Sequence, residues 1–190
     1  MSKLETNTID TISGSNTLTL GGTNLSTVNM ASGVSPGTGM GKILQVQSLF
    51  TANQQTTTST SFVDVTGMSQ TITPSSTSSK VLVTCSFFAA AIPNANPYYK
   101  LLRGSTILGQ ITNGGVDMTY NSTNPQSPDT DRAGDTVTLT FLDSPASTSE
   151  QTYKLQFRTS NGSYTAYFGR RDIDTQTNVG AGITLMEIAG

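Results

Sequence analysis

Short segments with apolar side chains at every second position recur along most of this chain and limit its fold more than any other feature. Successive side chains of a β-strand point to opposite faces, so this spacing gathers the apolar ones on one face. In residues 136–142, for example, Val137, Leu139 and Phe141 each follow a Thr, so polar and apolar side chains alternate. The predicted strands lie at 42–50, 61–66, 68–73, 81–92, 98–103, 106–111, 136–142, 152–158, 163–168 and 181–188. Turn residues separate them and no convincing amphipathic helix is present, so the sequence predicts an antiparallel all-β domain.

A long apolar run and a strand near the end of the chain favour a jelly roll among the antiparallel β folds. The longest apolar run, 81–92, alternates at Val81, Val83 and Cys85, and we interpret it as a central buried strand. A final strand that reaches almost to the last residue is typical of a jelly roll, in which terminal strands pair inside the sheets. An immunoglobulin-like sandwich is less favoured because the chain has no Trp and no pair of Cys. We therefore predict a jelly-roll-like β-sandwich.

Turn residues predict where hairpins and loops connect these strands. Gly104-Ser105 is typical of a two-residue hairpin turn with glycine at its first position. Asn161-Gly162 predicts a type I′ hairpin that pairs the two segments on either side of it. Residues 113–134 are rich in Asn, Gly, Ser, Pro and Asp, and we interpret them as one long polar loop. Loops of this length in a compact domain are usually functional or mobile.

The first 40 residues differ in composition from the rest of the chain. Large apolar side chains are sparse there, and the stretch 31–39 has the Gly- and Ser-rich composition of a flexible linker. We predict an extended docking arm with its linker at 1–40 and a β knob at 41–190. Because the arm has too little apolar surface to fold alone, we expect a partner to order it. The residues expected to make that contact are Ile9, Ile12, Leu18 and Leu20.

Composition excludes several functional classes. The chain has no His, which removes His general bases, His-containing triads and His-ligated zinc. Its single Cys, Cys85, excludes an intrachain disulfide and a cysteine-cluster metal site. A net charge of −2 without any Lys/Arg run argues against nucleic-acid binding. No apolar stretch approaches the roughly 18–20 residues that span a bilayer. We therefore expect no nucleic-acid partner, no membrane insertion and no cofactor.

Three aspartates form a candidate cation site at the end of the predicted loop. Asp129, Asp131 and Asp135 are closely spaced carboxylates near a glycine, and such groups can hold a hard cation such as Ca²⁺. Arg132 and Ala133 interrupt the pattern of a calcium-binding loop, and no Glu closes it. Asx turns in a solvated loop are the alternative explanation for the same residues.

Carbohydrate chemistry is the other possibility that the sequence raises. Tyr120, with the adjacent Asn121, is the best candidate for ligand contact, because a tyrosine ring suits polar ligands such as sugars. A half-buried strand position is the alternative explanation for each tyrosine. Hydrolysis of a polysaccharide would need two carboxylates across a cleft. The glutamates Glu5, Glu150 and Glu187 fall in the arm, a turn and the last strand, so we expect no enzyme activity.

Three groups of motifs carry a resemblance to known proteins. The first is the opening at 4–9 with Ser-Gly-Ser-Asn-Thr-Leu-Thr-Leu at 13–20. The second is Gly-Lys-Ile-Leu-Gln-Val at 41–46 through Ile-Thr-Pro-Ser-Ser-Thr-Ser-Ser-Lys-Val-Leu-Val at 72–83. The third comprises the short motifs at 102–106, 141–145, 153–156 and 186–188. Together they resemble a recurrent type of virion protein of tailed bacteriophages, common in phages of marine bacteria and cyanobacteria.

The resemblance implies a tail-fibre or head-appendage component with a β-sandwich knob, typically trimeric. Such a protein would be non-enzymatic, made in the host cytoplasm and assembled into the virion. Its expected partners are its own copies in a homotrimer, other virion proteins through the arm, and a glycan or protein of the host surface. Two alternatives stay open. One is a capsid decoration, or cement, protein with the same fold, and the other is a polysaccharide-degrading virion enzyme.

Overall fold

The computed structural model describes residues 42–91, 96–121, 134–171 and 178–190. These residues form strands and turns, with no helix among them, and therefore no helix that could span a membrane. The predicted arm at 1–40, with Ile9, Ile12, Leu18 and Leu20, lies outside the described residues. The strands are β1 (Ile43–Thr51), β2 (Gln55–Thr57), β3 (Val63–Ile72), β4 (Lys80–Ala91), β5 (Pro97–Arg103), β6 (Thr106–Ile107), β7 (Ile111–Asn113), β8 (Val116–Met118), β9 (Tyr120–Asn121), β10 (Gly134–Asp143), β11 (Gln151–Thr159), β12 (Ala166–Phe168) and β13 (Ala181–Ile188).

The first sheet is built around β4, which confirms the prediction of a central strand. On one side of β4, β13 pairs with residues 80–86 and β12 with residues 89–91. On the other side, β10 pairs along almost the whole strand. β1 continues the sheet beyond β13, and β2 continues it beyond β12. The last strand therefore lies inside the sheet, as predicted, because β13 has β1 on one side and β4 on the other.

The second sheet is centred on β11 and β5. β3 pairs with the outer side of β11, while β6 and β9 pair with successive lengths of the outer side of β5. β7 and β8 form a separate hairpin. Every pairing in the two sheets and in this hairpin is antiparallel, which confirms the predicted all-β antiparallel fold.

Both sheets contribute to one hydrophobic core. At its centre lie four aromatic rings, Phe87 and Phe168 from the first sheet and Tyr99 and Phe157 from the second. Neighbouring ring centroids in this group are 4.7 to 6.4 Å apart, the range in which aromatic side chains attract each other. We call these four residues the ring cluster. The ring cluster joins the two sheets because each sheet supplies two of its four rings.

One predicted hairpin is confirmed and another is wrong. Gly104, with a φ of +56°, lies in the two-residue turn between β5 and β6, as the sequence predicts. The segment after Asn161-Gly162 does not fold back on β11. Instead, β12 crosses to the first sheet and pairs with β2 and β4. Neither Asn161 nor Gly162 has the positive φ of a type I′ turn, and the Asn161 carbonyl accepts from Tyr164 N at 3.0 Å.

The predicted loop at 113–134 is wrong in its first part, which is regular structure. Gly114 and Gly115 have φ values of +59° and +78° and connect β7 to β8. Positive φ at both central residues is the requirement of a type I′ turn, which glycine meets without strain. β9 then adds to the edge of β5. Residues 122–133 lie outside the described part of the chain.

Candidate functional site

Tyr120, the predicted ligand contact, lies in β9 and not in a loop. It pairs with Tyr99 of β5, and the centroids of the two rings are 6.2 Å apart. Its side chain is half-buried and packs against the core. Asn121 pairs with Tyr98 at the next position. The structure thus places Tyr120 in the half-buried strand position that is the alternative explanation for this residue.

The predicted cation site is only partly within the described structure. Asp135 is an exposed residue near the start of β10, opposite Ala89 of β4. Asp129 and Asp131 lie outside the described residues. Within those residues, no three His, Cys, Asp or Glu side chains come together in a group that could hold a metal ion.

Two buried carboxylates flank Val81 at one end of the core; the sequence places one of them only in the last strand and does not single out the other. The strand register places Glu187 of β13 and Asp143 of β10 on either side of Val81. Glu187 is 0% exposed and Asp143 is 6% exposed. Buried carboxylates need hydrogen-bond donors or a cation to offset the loss of water. One signal does exist in the sequence, since Glu187 continues the inward-facing series of Ile183 and Leu185.

Neutral donors hold the carboxylate of Glu187. Ser75 donates to Oε1 twice, from its backbone N at 2.7 Å and from its Oγ at 2.6 Å, and Gln45 Nε2 donates to Oε2 at 2.6 Å. Burial raises the pKa of Glu187, but hydrogen bonds from Ser75 and Gln45 outweigh burial and lower the pKa to about 2. The ionised side chain therefore fastens the turn before β4 to both β1 and β13.

Replacing Glu187 by Gln is expected to lower the free energy of unfolding at pH 7 by roughly 1–2 kcal/mol, because an amide oxygen accepts weaker hydrogen bonds than a carboxylate. The pKa of Glu187 is lower in the folded chain than its ordinary value of 4.5. Its stabilisation is therefore complete above about pH 4.5 and is lost as the pH falls towards 2. Urea unfolding of wild type and E187Q should show a smaller difference at pH 3 than at pH 7.

The matched control for this substitution is Glu150→Gln, since Glu150 is an exposed residue in a turn. E150Q should leave the unfolding midpoint unchanged at both pH values. A stability loss in E187Q that is equally large at pH 3 and pH 7 would contradict the role given to the ionised form of Glu187.

Asp143 is held by two donors from the other sheet. Arg103 Nη1 donates to Oδ2 at 3.0 Å in an ion pair, and the Tyr153 hydroxyl donates to the same oxygen at 2.7 Å. Burial and this hydrogen bond raise the pKa of Tyr153 above its ordinary value. Asp143 thus ties β10 of the first sheet to β5 and β11 of the second. Because both buried carboxylates have such partners, they have the character of groups that hold strands together rather than of an acid and base pair.

The outer face of the second sheet carries charges and aromatic rings. Lys100 Nζ lies 4.1 Å from the ring centroid of Phe62, and the guanidinium carbon of Arg158 lies 4.7 Å from that of Tyr98. Such cation–π contacts are favourable at protein surfaces and keep the cations close to water. The charged residues of this face are Asp64, Lys100, Lys154 and Arg158. This face is therefore compatible with exposure to solvent.

The outer face of the first sheet has the opposite character. A row of four apolar side chains crosses it, one from each of β1, β13, β4 and β10, and the strand register places them next to one another. We call this row the apolar band, and its members are Val46, Met186, Leu82 and Leu142. Val46 is 50% exposed and Leu142 is 47% exposed. Contiguous exposed apolar surface on a folded protein usually marks an interaction site.

Uncharged side chains continue this face beyond the apolar band. The next row consists of hydroxyl residues on the same four strands, namely Ser48, Thr184, Thr84 and Thr140. Ser48 Oγ and Thr184 Oγ1 lie 3.0 Å apart and form a hydrogen bond. Phe50, 76% exposed, begins the row after that. Among the outward-facing residues of these four strands, Lys80 at the start of β4 is the one charged group.

The chain matches no model of a known protein family and no curated protein. In the part of the chain that the structure describes, the buried polar groups serve the fold, and the second sheet presents an ordinary polar surface. The outer face of the first sheet, with the apolar band, is the feature that folding of a single chain does not account for. It is the candidate functional site.

Proposed function

We propose that the chain is a non-enzymatic structural component of a bacteriophage virion, a fibre- or knob-type appendage. The two sheets would form the knob, a jelly-roll-like β-sandwich. Residues 1–40 would dock it on other virion proteins, and the knob would meet a glycan or protein of the host surface. The observation that carries this proposal is the exposed apolar band on a face with a single outward charge, Lys80, which suits a subunit that works inside an assembly.

The buried polar residues support a structural role. The members of the two carboxylate groups all lie in motifs that carry the resemblance to phage virion proteins, namely Gln45, Ser75, Arg103, Asp143, Tyr153 and Glu187. Their hydrogen bonds close one end of the core. The resemblance therefore draws on residues that hold a fold together, which favours a shared knob architecture over a shared catalytic site.

A homotrimer would also fit the edges of the first sheet. β10 is ten residues long and pairs only with β4 among the described strands. Natural proteins shorten, charge or cover such edges, because an open edge can pair with other chains. β10 contains no Lys and no Pro, the residues that most often protect an edge. Association with further copies would cover this edge.

Removing residues 1–40 is expected to reduce incorporation of the protein into virions at least tenfold and to leave the knob folded. The described core lies entirely within 42–190, so the truncated chain keeps every core contact that the structure describes. Copies per particle can be measured by quantitative mass spectrometry of virions purified from cells that express either form. A full-length variant, L18D/L20D, tests the arm without changing the length of the chain.

Two results would contradict the proposal. Normal incorporation of both variants would remove the docking role of the arm. Antibody label distributed over the whole capsid shell, in register with its lattice, would assign the chain to capsid decoration instead of an appendage. The unfolding midpoint of the truncated chain serves as the control, since a misfolded knob would also fail to assemble.

A further inference from the structure

Among the described residues, the outer face of the first sheet stays open to solvent at Val46, Phe50 and Leu142. We propose that this face, centred on the apolar band, packs against the first sheet of a second copy of the same chain. That this surface is an interface is inferred from the fold alone. Only the number of copies that associate rests on the proposed function. The size of the face, its lack of charge, its row pattern and its open edge each favour a second copy as the occupant.

The size of the face matches a modest but specific interface. Four strands spaced ~4.8 Å apart and about eight residues long, at ~3.3 Å per residue, cover roughly 500 Å². Two such faces in contact would bury about 1,000 Å² together, which is where specific protein interfaces begin. The inner faces of stacked sheets pack in the same way, ~10 Å apart.

The chemistry of the face allows association without burying an unpaired charge. Lys80 is the charged residue on the outward register of β1, β4, β10 and β13, and it lies at the first position of β4, in the row next to the apolar band. Asp135, exposed near the start of β10, lies on the inward register opposite Ala89. Burial of a charge without a partner would cost several kcal/mol. A polysaccharide or a charged protein partner would call for the charges and rings that lie on the outer face of the second sheet instead.

The rows also make the face complementary to itself. A symmetry axis parallel to the strands, twofold or threefold, keeps each row at its own level. The apolar band of one copy then meets the apolar band of the next, and the hydroxyl row meets the hydroxyl row. Apolar groups lose water together, while Ser and Thr hydroxyls can both donate and accept across the contact. Closed symmetric assemblies of identical chains are the commonest oligomers.

The open edge of β10 lies beside the same surface. Leu142, a member of the apolar band, belongs to β10, so a copy that covers the band also reaches this edge. Among the described strands, this edge of β10 has no partner, and it lies next to the exposed apolar side chain of Leu142. One contact with a second copy protects both from water or from unwanted pairing.

The test measures the mass of the full-length chain in solution. Wild type is expected to have two or three times the chain mass of 19.9 kDa by light scattering at micromolar concentration. Val46→Lys together with Leu142→Lys places two like charges in the apolar band. Because both side chains are about half exposed, the fold should tolerate Lys there, and V46K/L142K is expected to be monomeric.

Ile111→Lys is the matched control, because Ile111 is also 50% exposed but lies on the separate β7–β8 hairpin. I111K should keep the wild-type mass, and all three proteins should give the same far-ultraviolet circular dichroism spectrum, which shows that the substitutions leave the fold intact. Wild type and I111K should unfold at a higher urea concentration than V46K/L142K, because association stabilises the folded chain. A monomeric wild type would overturn the proposal, as would an unchanged mass of V46K/L142K or an equal loss of mass in I111K. If a monomeric wild type binds virions through the apolar band, the occupant is another virion protein. The virion role is tested separately by incorporation, so either proposal can fail alone.

Discussion

Phe157→Ala is expected to lower the free energy of unfolding by about 3–5 kcal/mol, as large truncations in packed cores do. Phe157 is fully buried in the ring cluster, with centroid distances of 6.1 Å to Tyr99 and 6.4 Å to Phe168. Alanine would remove its ring contacts with both sheets at once and leave a cavity. Urea unfolding followed by tyrosine fluorescence or circular dichroism measures the change in midpoint.

The chain provides a matched control for this truncation. Ile111 is 50% exposed on the β7–β8 hairpin, outside the face proposed to pack against a second copy, so I111A should change the free energy of unfolding by less than about 1 kcal/mol. If F157A does not fold, Phe157→Leu keeps most of the apolar volume and should show a smaller loss that can be measured. Equal effects of F157A and I111A would contradict the position of the core.

Asp143→Ala is expected to cost about 3–5 kcal/mol, the usual effect of removing one partner from a buried ion pair. The substitution leaves Arg103 and the Tyr153 hydroxyl without their shared acceptor at a site where Asp143 is 6% exposed. The cost arises mainly from the buried Tyr153 hydroxyl, which then has neither water nor carboxylate, and from the loss of the ion pair of Arg103, whose side chain is 21% exposed. Thermal or urea unfolding of D143A against wild type at neutral pH measures it.

Asp64→Ala is the control for charge removal. Asp64 also forms an ion pair, with Lys154 at 2.9 Å, but its side chain is 59% exposed. Exposed pairs contribute about 0–1 kcal/mol, so D64A should be close to wild type in stability. A result in which D64A is as damaging as D143A would show that burial does not determine the difference between the two pairs.

The strands were predictable from the sequence where one face is buried and the other is polar. In β11, for example, Tyr153, Leu155 and Phe157 are buried and alternate with partly exposed polar residues. Connections between strands were less predictable. Asn161-Gly162 has the local signature of a hairpin, but pairing of β12 with β2 and β4 gives its backbone long-range partners in the other sheet. The local sequence of a turn carries no information about strands elsewhere in the chain that can pair with the segment after it.

The apolar band could not be predicted from the sequence, for a different physical reason. Leu82 and Met186 lie in runs that are apolar on both faces, such as Val81-Leu82-Val83, so alternation does not show which of them face outward. Only the register of four strands brings them into one row with Val46 and Leu142. Asp143 was hidden similarly, because an Asp before Ser-Pro is typical of a turn, whereas here it ends β10 inside the core.

The ring cluster has a consequence for partial unfolding. Phe87 and Phe168 on one sheet share their contacts with Tyr99 and Phe157 on the other, so opening either sheet exposes rings of both. A half-folded form would keep only the ring contact within its own sheet, and the amide protons at the centre of the two sheets should report one common free energy of opening. A protease that attacks transiently opened chains would then find the strands of the ring cluster either all protected or all accessible.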